Sequence, residues 1–283
     1  MTMLQPEKNI PLYHYTDFQA LDGILRNAEL RVNNILNMND ASEMRLFMRG
    51  LAKAVCARLE NEDRGAQAQA MRQLFDQELK KEFAYSAYAA CFSRYRDDAA
   101  QWERYGNRGK GGCIAFYGEK LQQLTVGALS LQTVFYQDDM TEHPLVEVFY
   151  RLARTVSPLE ENQPQVRRAL HEAWVCSAAF KHPSFACENE VRLVVSPFEQ
   201  EYFNVQPGYH ISPDRIKKYY PLRLDRMCQR AGLALEDLIA EIIVGPESTQ
   251  SLPILQDYLR DHGLCRLAEK LSLSACPLRR SAP

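Results

Sequence analysis

LYHYTDFQALDGILRNAELRVNN, residues 12–34, is the stretch that decides the fold. It reads as a strand, a helix and a second short strand. The aromatic start, Leu12 to Thr16, suits a pleated and half-buried surface. Phe18, Leu21, Ile24 and Leu25 then recur on one face of a helix. Thr16 stands three residues before Gln19, a capping-box spacing. ELRVNN, 29–34, returns as strand. His14 lies between two tyrosines on the first strand. It is either a satisfied packing residue or a ligand holder.

Working outward, NMNDASEM is a loop entering a helix that runs to about Glu60, with Asn39, Asp40 and Glu43 as capping residues. DRGAQAQAMRQLFDQELKKEFA is a polar helix. YSAYAACFS reads as a buried strand, DDAAQWERYG as a short helix, NRGKGG as a turn and CIAFY as a strand. LSLQTVFYQ alternates as a strand does. Two helices follow, about 141–156 and 162–181, and then the strand ENEVRLVVS. IKKYYPLRLDRMCQRAG mixes strand and helix. AEIIVGP is a strand, STQSLPILQDYLRDHG a helix and CRLAEKLSLS a terminal strand region. No repeat, low-complexity tract or linker divides the chain. The expectation is one α+β domain over 1–283, with helical insertions at about 40–84 and 141–181.

The chain has 283 residues, is 46% hydrophobic and 25% charged, and carries a net charge of −2. Such a chain buries a sizeable core. The near-neutral balance disfavours general nucleic-acid binding, although Arg94, Arg96, Arg104, Arg108 and Lys110 cluster in sequence. The first residues lack a basic region followed by an apolar run, and no stretch has the apolar length of a membrane span. Eight cysteines are scattered, with no C-x-x-C pair and no zinc spacing. Reduced thiols follow, so the expected location is cytoplasmic, or the cytoplasm of a target cell after delivery. No metal and no membrane partner are expected.

CENEVRLVV, 187–195, is the strongest chemical signal. Strand alternation places Glu188, Glu190 and Arg192 on one face and Val191, Leu193 and Val195 on the other. Either this is a solvated face with a Glu–Arg pair, or two carboxylates stand beside a polar ligand with Arg192 holding one ionised. Trp102 and Tyr105, three apart, share a helix face. They either anchor the helix or form a wall for a flat ring. Ser93 ends a strand, where its hydroxyl caps the next segment or bonds a ligand. GNRGKGG lacks phosphate-loop spacing and is read as a tight turn.

Taken in order, LYHYTDFQALDGILRNAELRVNN…NMNDASE, CFSRYRDDAAQWERYGNRGKGGCIAFY, ENEVRLV, EIIVGPES and LSLSACPLRR resemble a bacterial family, domain-of-unknown-function family 2971. That family is similar to the ADP-ribosyltransferases. The resemblance covers nearly the whole chain and implies a split, mixed or antiparallel sheet with helical insertions. It implies that His14 bonds the adenosine ribose of NAD, with Tyr15 and Thr16 beside it in the cofactor site. Trp102 or Tyr105 then packs on nicotinamide and Ser93 supports the site. Glu190 stabilises the oxocarbenium-like transition state, Glu188 orients the acceptor, and Arg192 completes the pocket. About forty residues of helix interrupt the core before ENEVRLV, more than in known transferases. The implied function is NAD-dependent mono-ADP-ribosyl transfer, or NAD hydrolysis, of the kind found in toxins and phage-defence effectors. NAD is the substrate, and the acceptor is an unspecified protein or nucleic acid. The alternative is a catalytically silent nucleotide- or nucleic-acid-binding module on the same fold.

Overall fold

The computed structural model describes residues 10–35, 43–81, 87–127, 129–137, 139–195, 205–211 and 215–278, with Glu43 described by its backbone alone. Asn39 and Asp40 lie outside these residues, as does the side chain of Glu43, and with them the expected cap of the second helix.

The opening elements are β1 (Pro11–Thr16), α1 (Phe18–Arg26) and β2 (Glu29–Asn34). α1 buries Leu21, Ile24 and Leu25. Its cap is Asp17, whose carboxylate accepts from the Ala20 N–H at 2.7 Å, and not Thr16. Thr16 is the last residue of β1, paired opposite Gly112, so its backbone belongs to the ladder. Next come the helices α2 (Glu43–Glu60) and α3 (Gly65–Leu79), then β3 (Tyr88–Ser93), α4 (Ala99–Arg104) and β4 (Gly112–Tyr117). The turn between α4 and β4 needs its glycines. A Cβ on Gly111 would meet the Thr16 carbonyl oxygen at 2.0 Å.

A short α5 (Gly118–Gln123) precedes β5 (Leu129–Thr133) and β6 (Phe135–Tyr136). The expected single strand is broken at Val134, whose N–H bonds the Glu190 carbonyl at 3.0 Å. α6 (Pro144–Thr155) and α7 (Pro164–Ser177) follow. α7 ends before the expected 181, and Phe180–Lys181 form a short strand, β7, parallel to β6. A 3-10 turn, Pro183–Glu188, leads to β8 (Glu190–Val195). The remaining elements are β9 (Gly208–Ile211), β10 (Ile216–Arg223), α8 (Leu224–Arg230), α9 (Leu235–Leu238), β11 (Ile239–Val244), α10 (Leu252–Asp261), α11 (Cys265–Ala268) and β12 (Leu271–Leu273).

This is a mixed helix-and-strand fold on an open sheet. The main path runs β12-β11-β4-β1-β3-β2-β10-β9, with β8 and then β5 added beside β3. β11 and β12 pair in parallel; the other ladders of this sheet are antiparallel. One sheet face carries α1 and the main core, with Leu12, Phe92, Ile114 and Leu193. On the opposite face, α2, α3, α6 and α7 form a helical layer with its own core, including Phe47, Phe75, Phe149 and Trp174, which also takes in Ala89 and Val194. No described helix is long and apolar enough to cross a membrane.

Candidate functional site

β3 is where the site begins. One of its edges pairs along its whole length with β8, from Tyr88–Val195 to Ser93–Glu190. The other edge is divided. Tyr88 and Ala89 pair with β2, and Ser93 pairs with β1 opposite Tyr13. The ladder is open between these points, at Ala90, Cys91 and Phe92. An open strand edge leaves backbone groups that need partners. His14 supplies one: its Nδ1 lies 2.9 Å from the Cys91 carbonyl oxygen. A carbonyl only accepts, so Nδ1 carries the proton and Nε2 is left as an acceptor. Burial pulls the His14 pKa down against the opposing effect of that hydrogen bond, and the imidazole stays neutral.

A cavity of about 430 Å³ occupies this opening. At one end it meets Lys181, Glu188, Glu190, Gln101 and Tyr105. Glu190, at the start of β8, is 5% exposed. Its Oε1 accepts from Arg192 Nε at 2.9 Å and its Oε2 from Arg192 Nη2 at 3.0 Å. Lys181 Nζ reaches Oε2 at 3.3 Å, and the Cys91 thiol also bonds the carboxylate. Burial opposes the charge, but Arg192 and Lys181 outweigh it and hold the Glu190 pKa down to about 2. Burial and the nearby Glu190 charge push the Cys91 thiol well up, so it remains protonated.

Glu188 reaches the same place by a different route from the one expected. It is not on the strand but closes the 3-10 turn, and Asn189, left-handed at φ 43°, turns the chain into β8. Lys181 Nζ then lies 2.5 Å from Glu188 Oε2, while Arg104 Nη1 (3.0 Å) and the Tyr105 hydroxyl (2.9 Å) donate to Oε1. The Ser93 hydroxyl donates to the Glu188 carbonyl at 2.9 Å and accepts from the Tyr95 N–H at 3.1 Å. Its first role is to peg that turn. Burial and the Glu188 charge raise the Tyr105 pKa, so the phenol is a donor.

Comparison with known proteins finds one family model that matches part of the chain. Residues 101–193 match the model described as "Protein of unknown function (DUF2971)". The match covers about a third of the chain. No curated protein and no solved structure matches the chain. The DUF2971 segment holds Tyr105, Lys181, Glu188, Glu190 and Arg192, whereas His14 and Ser93 lie before it.

His14, Tyr15, Thr16, Ser93, Tyr105, Glu188 and Glu190 all line the cavity. Trp102 and Arg192 do not. Trp102 is fully buried, donates to Asp97 Oδ1 at 2.7 Å and meets Tyr15 edge-on at 4.9 Å, so it anchors α4 to the core and forms no wall. Arg192 is 0% exposed, with Nη1 on the Ala178 carbonyl at 2.9 Å, and acts through Glu190. Within the basic run, Arg96 pairs with Glu241, Arg104 with Glu188, and Arg94 donates to Thr133 Oγ1 at 2.8 Å.

Lys181 is the residue that sequence reasoning missed within the DUF2971 segment. Extending α7 to 181 placed it on a helix. The signal was Pro183, which disfavours helical backbone at His182 and so ends a helix early. Among the described residues, no group of three His, Cys, Asp or Glu side chains is placed to hold a metal.

Proposed function

We propose that the chain is an NAD-dependent mono-ADP-ribosyltransferase, or an NAD glycohydrolase on the same scaffold, with a split-sheet ADP-ribosyltransferase-like core. The observation that carries this reading is the convergence of His14, Tyr105 and Glu190 on one cavity at the opening in the β3 edge. Breaking the nicotinamide–ribose bond builds positive charge on the sugar, and a pre-placed carboxylate lowers that barrier. Glu190 stays ionised across the physiological range. Its contact with Lys181 is long, at 3.3 Å, while Lys181 keeps a 2.5 Å contact with Glu188. A ribose hydroxyl of NAD takes that place on Glu190 without stranding the lysine. Neutral His14 offers Nε2 to a second ribose hydroxyl, and Tyr105 borders the nicotinamide. Glu188, beside the reacting carbon, takes the acceptor or water. A role in toxicity or phage defence belongs to the same proposal.

A second reading has its own support. Arg192, Lys181 and the Cys91 thiol occupy the accepting positions of the Glu190 carboxylate, and in the cluster as a whole two carboxylates face three cations. Such a site suits an anionic nucleotide held without reaction, the silent module. Incubation with NAD separates the two. Nicotinamide release by the wild type, lost in Glu190→Gln while circular dichroism stays native, supports the enzyme. NAD binding by calorimetry without release supports the module, and absence of binding removes both.

A further inference from the structure

The other end of the cavity carries a different charge pattern. His210 on β9 and Lys217 on β10 are register partners on adjacent antiparallel strands, and both line the cavity. Directly opposed residues project from the same sheet face, with side chains about 5 Å apart. Among the described residues neither has an ion pair or hydrogen-bond partner, whereas the neighbouring Arg31 is paired with Glu29 at 3.0 Å. Two basic groups set face to face repel rather than attract, so the pairing gains nothing for the fold. An anion lying between them removes that repulsion.

The surroundings suit a nucleotide phosphate. Gly208 has no room for a side chain, because a Cβ there would meet the Tyr219 ring at 2.4 Å. Tyr219 therefore lies close over the β9 backbone. The Arg31 guanidinium stacks on that ring, 4.5 Å from its centroid. A flat aromatic–guanidinium stack beside two unpaired basic groups is the chemistry that takes a base and its phosphate. β10 stands three strands from β8, and Ser93, level with Glu190, is four residues along β3 from Ala89, level with Asn33. Measured along the sheet, the two ends of the cavity are therefore on the order of 20 Å apart. That exceeds the single ribose separating the scissile bond of NAD from its diphosphate.

We propose that His210 and Lys217 form a second phosphate subsite, for a phosphate beyond the diphosphate of the dinucleotide. Its position rests on the reading that the scissile bond lies by Glu190. Two sources carry the same chemistry: the 2′-phosphate of NADP, at the adenosine end, and a phosphodiester of a single-stranded nucleic acid used as acceptor.

Calorimetry with NAD, NADP and a single-stranded oligonucleotide, on wild type and on the double variant His210→Ala/Lys217→Ala, tests the subsite. Both residues are solvent-accessible, and a matching thermal midpoint shows that the variant is folded. Loss of two charge-assisted contacts lowers affinity roughly tenfold or more for the ligand that uses them. A drop for NADP with NAD unchanged supports the subsite and assigns it to the dinucleotide. A drop for the oligonucleotide alone supports it and assigns it to the acceptor, and this outcome stands even if NAD is neither bound nor cleaved. Equal affinities of variant and wild type for NADP and for the oligonucleotide, or a drop for NAD itself of the same size, overturn it.

Discussion

Glu190 is the residue on which stability and function both turn. Its folded pKa of about 2 lies below the ordinary glutamate value of 4.5. A depressed carboxylate pKa contributes stability that is fully present above the unfolded value and is lost as pH falls through the folded one. The window is therefore about pH 4.5 down to 2, and the contribution is about 3 kcal/mol. Denaturant titrations between pH 6 and 2 should show this loss in the wild type and a correspondingly flatter profile in Glu190→Gln. Equal slopes for the two proteins would remove the assignment. The variant also leaves the fully buried Arg192 without its carboxylate, a loss on the order of 3–5 kcal/mol. Glu190→Gln therefore melts lower at neutral pH, and its activity has to be read at a temperature where it is folded. Lys181→Met tests the partner. Glu188 and Glu190 then face each other with no lysine between them, and like-charged neighbours raise a carboxyl pKa. The acid limb of any pH–rate profile should move to higher pH in Lys181→Met. An unmoved limb would leave Lys181 a purely structural residue.

At the scale of elements, the turn that delivers Glu188 depends on Asn189, whose φ of 43° most side chains avoid. Asn189→Gly should be close to neutral, whereas Asn189→Val should cost about 1–2 kcal/mol, read as a lower thermal midpoint. A Val variant as stable as the wild type would mean that the turn relaxes elsewhere. This turn also marks what the sequence could reveal. β1, α1 and β2 were legible because their apolar periods change cleanly from two to helical spacing and back. The acidic pair was legible as a pair, but its convergence comes from a left-handed turn after a 3-10 turn, not from alternation on one strand. Alternation would have left Glu188 in the ladder; instead the chain reverses at Asn189, and Ser93 pegs the turn by its carbonyl. Lys181 was hidden because local propensity carries a helix onward past Ser177, whereas the chain leaves α7 at Ala178 and extends into β7. The division of the β3 edge between β1 and β2 has no local signature, since it is a choice among non-local strand pairings.

At the scale of the whole molecule, the helical layer and the site are mechanically joined. The end of α7 presents the Ala178 carbonyl to Arg192 Nη1 at 2.9 Å, and the chain then runs directly into β7 and Lys181. The layer thus fixes two of the three cations around the carboxylates, so residues that look like an interruption of the sheet complete its chemistry. Trp174 is the test of this link. It is fully buried, it belongs to the core of the helical layer, and its Nε1 donates to the buried Glu78 at 3.2 Å. Trp174→Ala removes a large core side chain at a cost of about 3–5 kcal/mol. It does not line the cavity, and the core cluster it belongs to contains no residue of β1, β4 or β11. If layer and site act as one unit, amide exchange in the variant should quicken together in α2, α3, α6 and α7 and in Glu190–Arg192 of β8. Amides of β1 and β4, which are paired neighbours in the main sheet, should keep their protection. Exchange that quickens in the helices while Glu190 to Arg192 stay as protected as in the wild type would show that the sheet holds Arg192 without them. The site would then belong to the sheet alone, and the helical layer would have to be explained by what it binds on its outer surface.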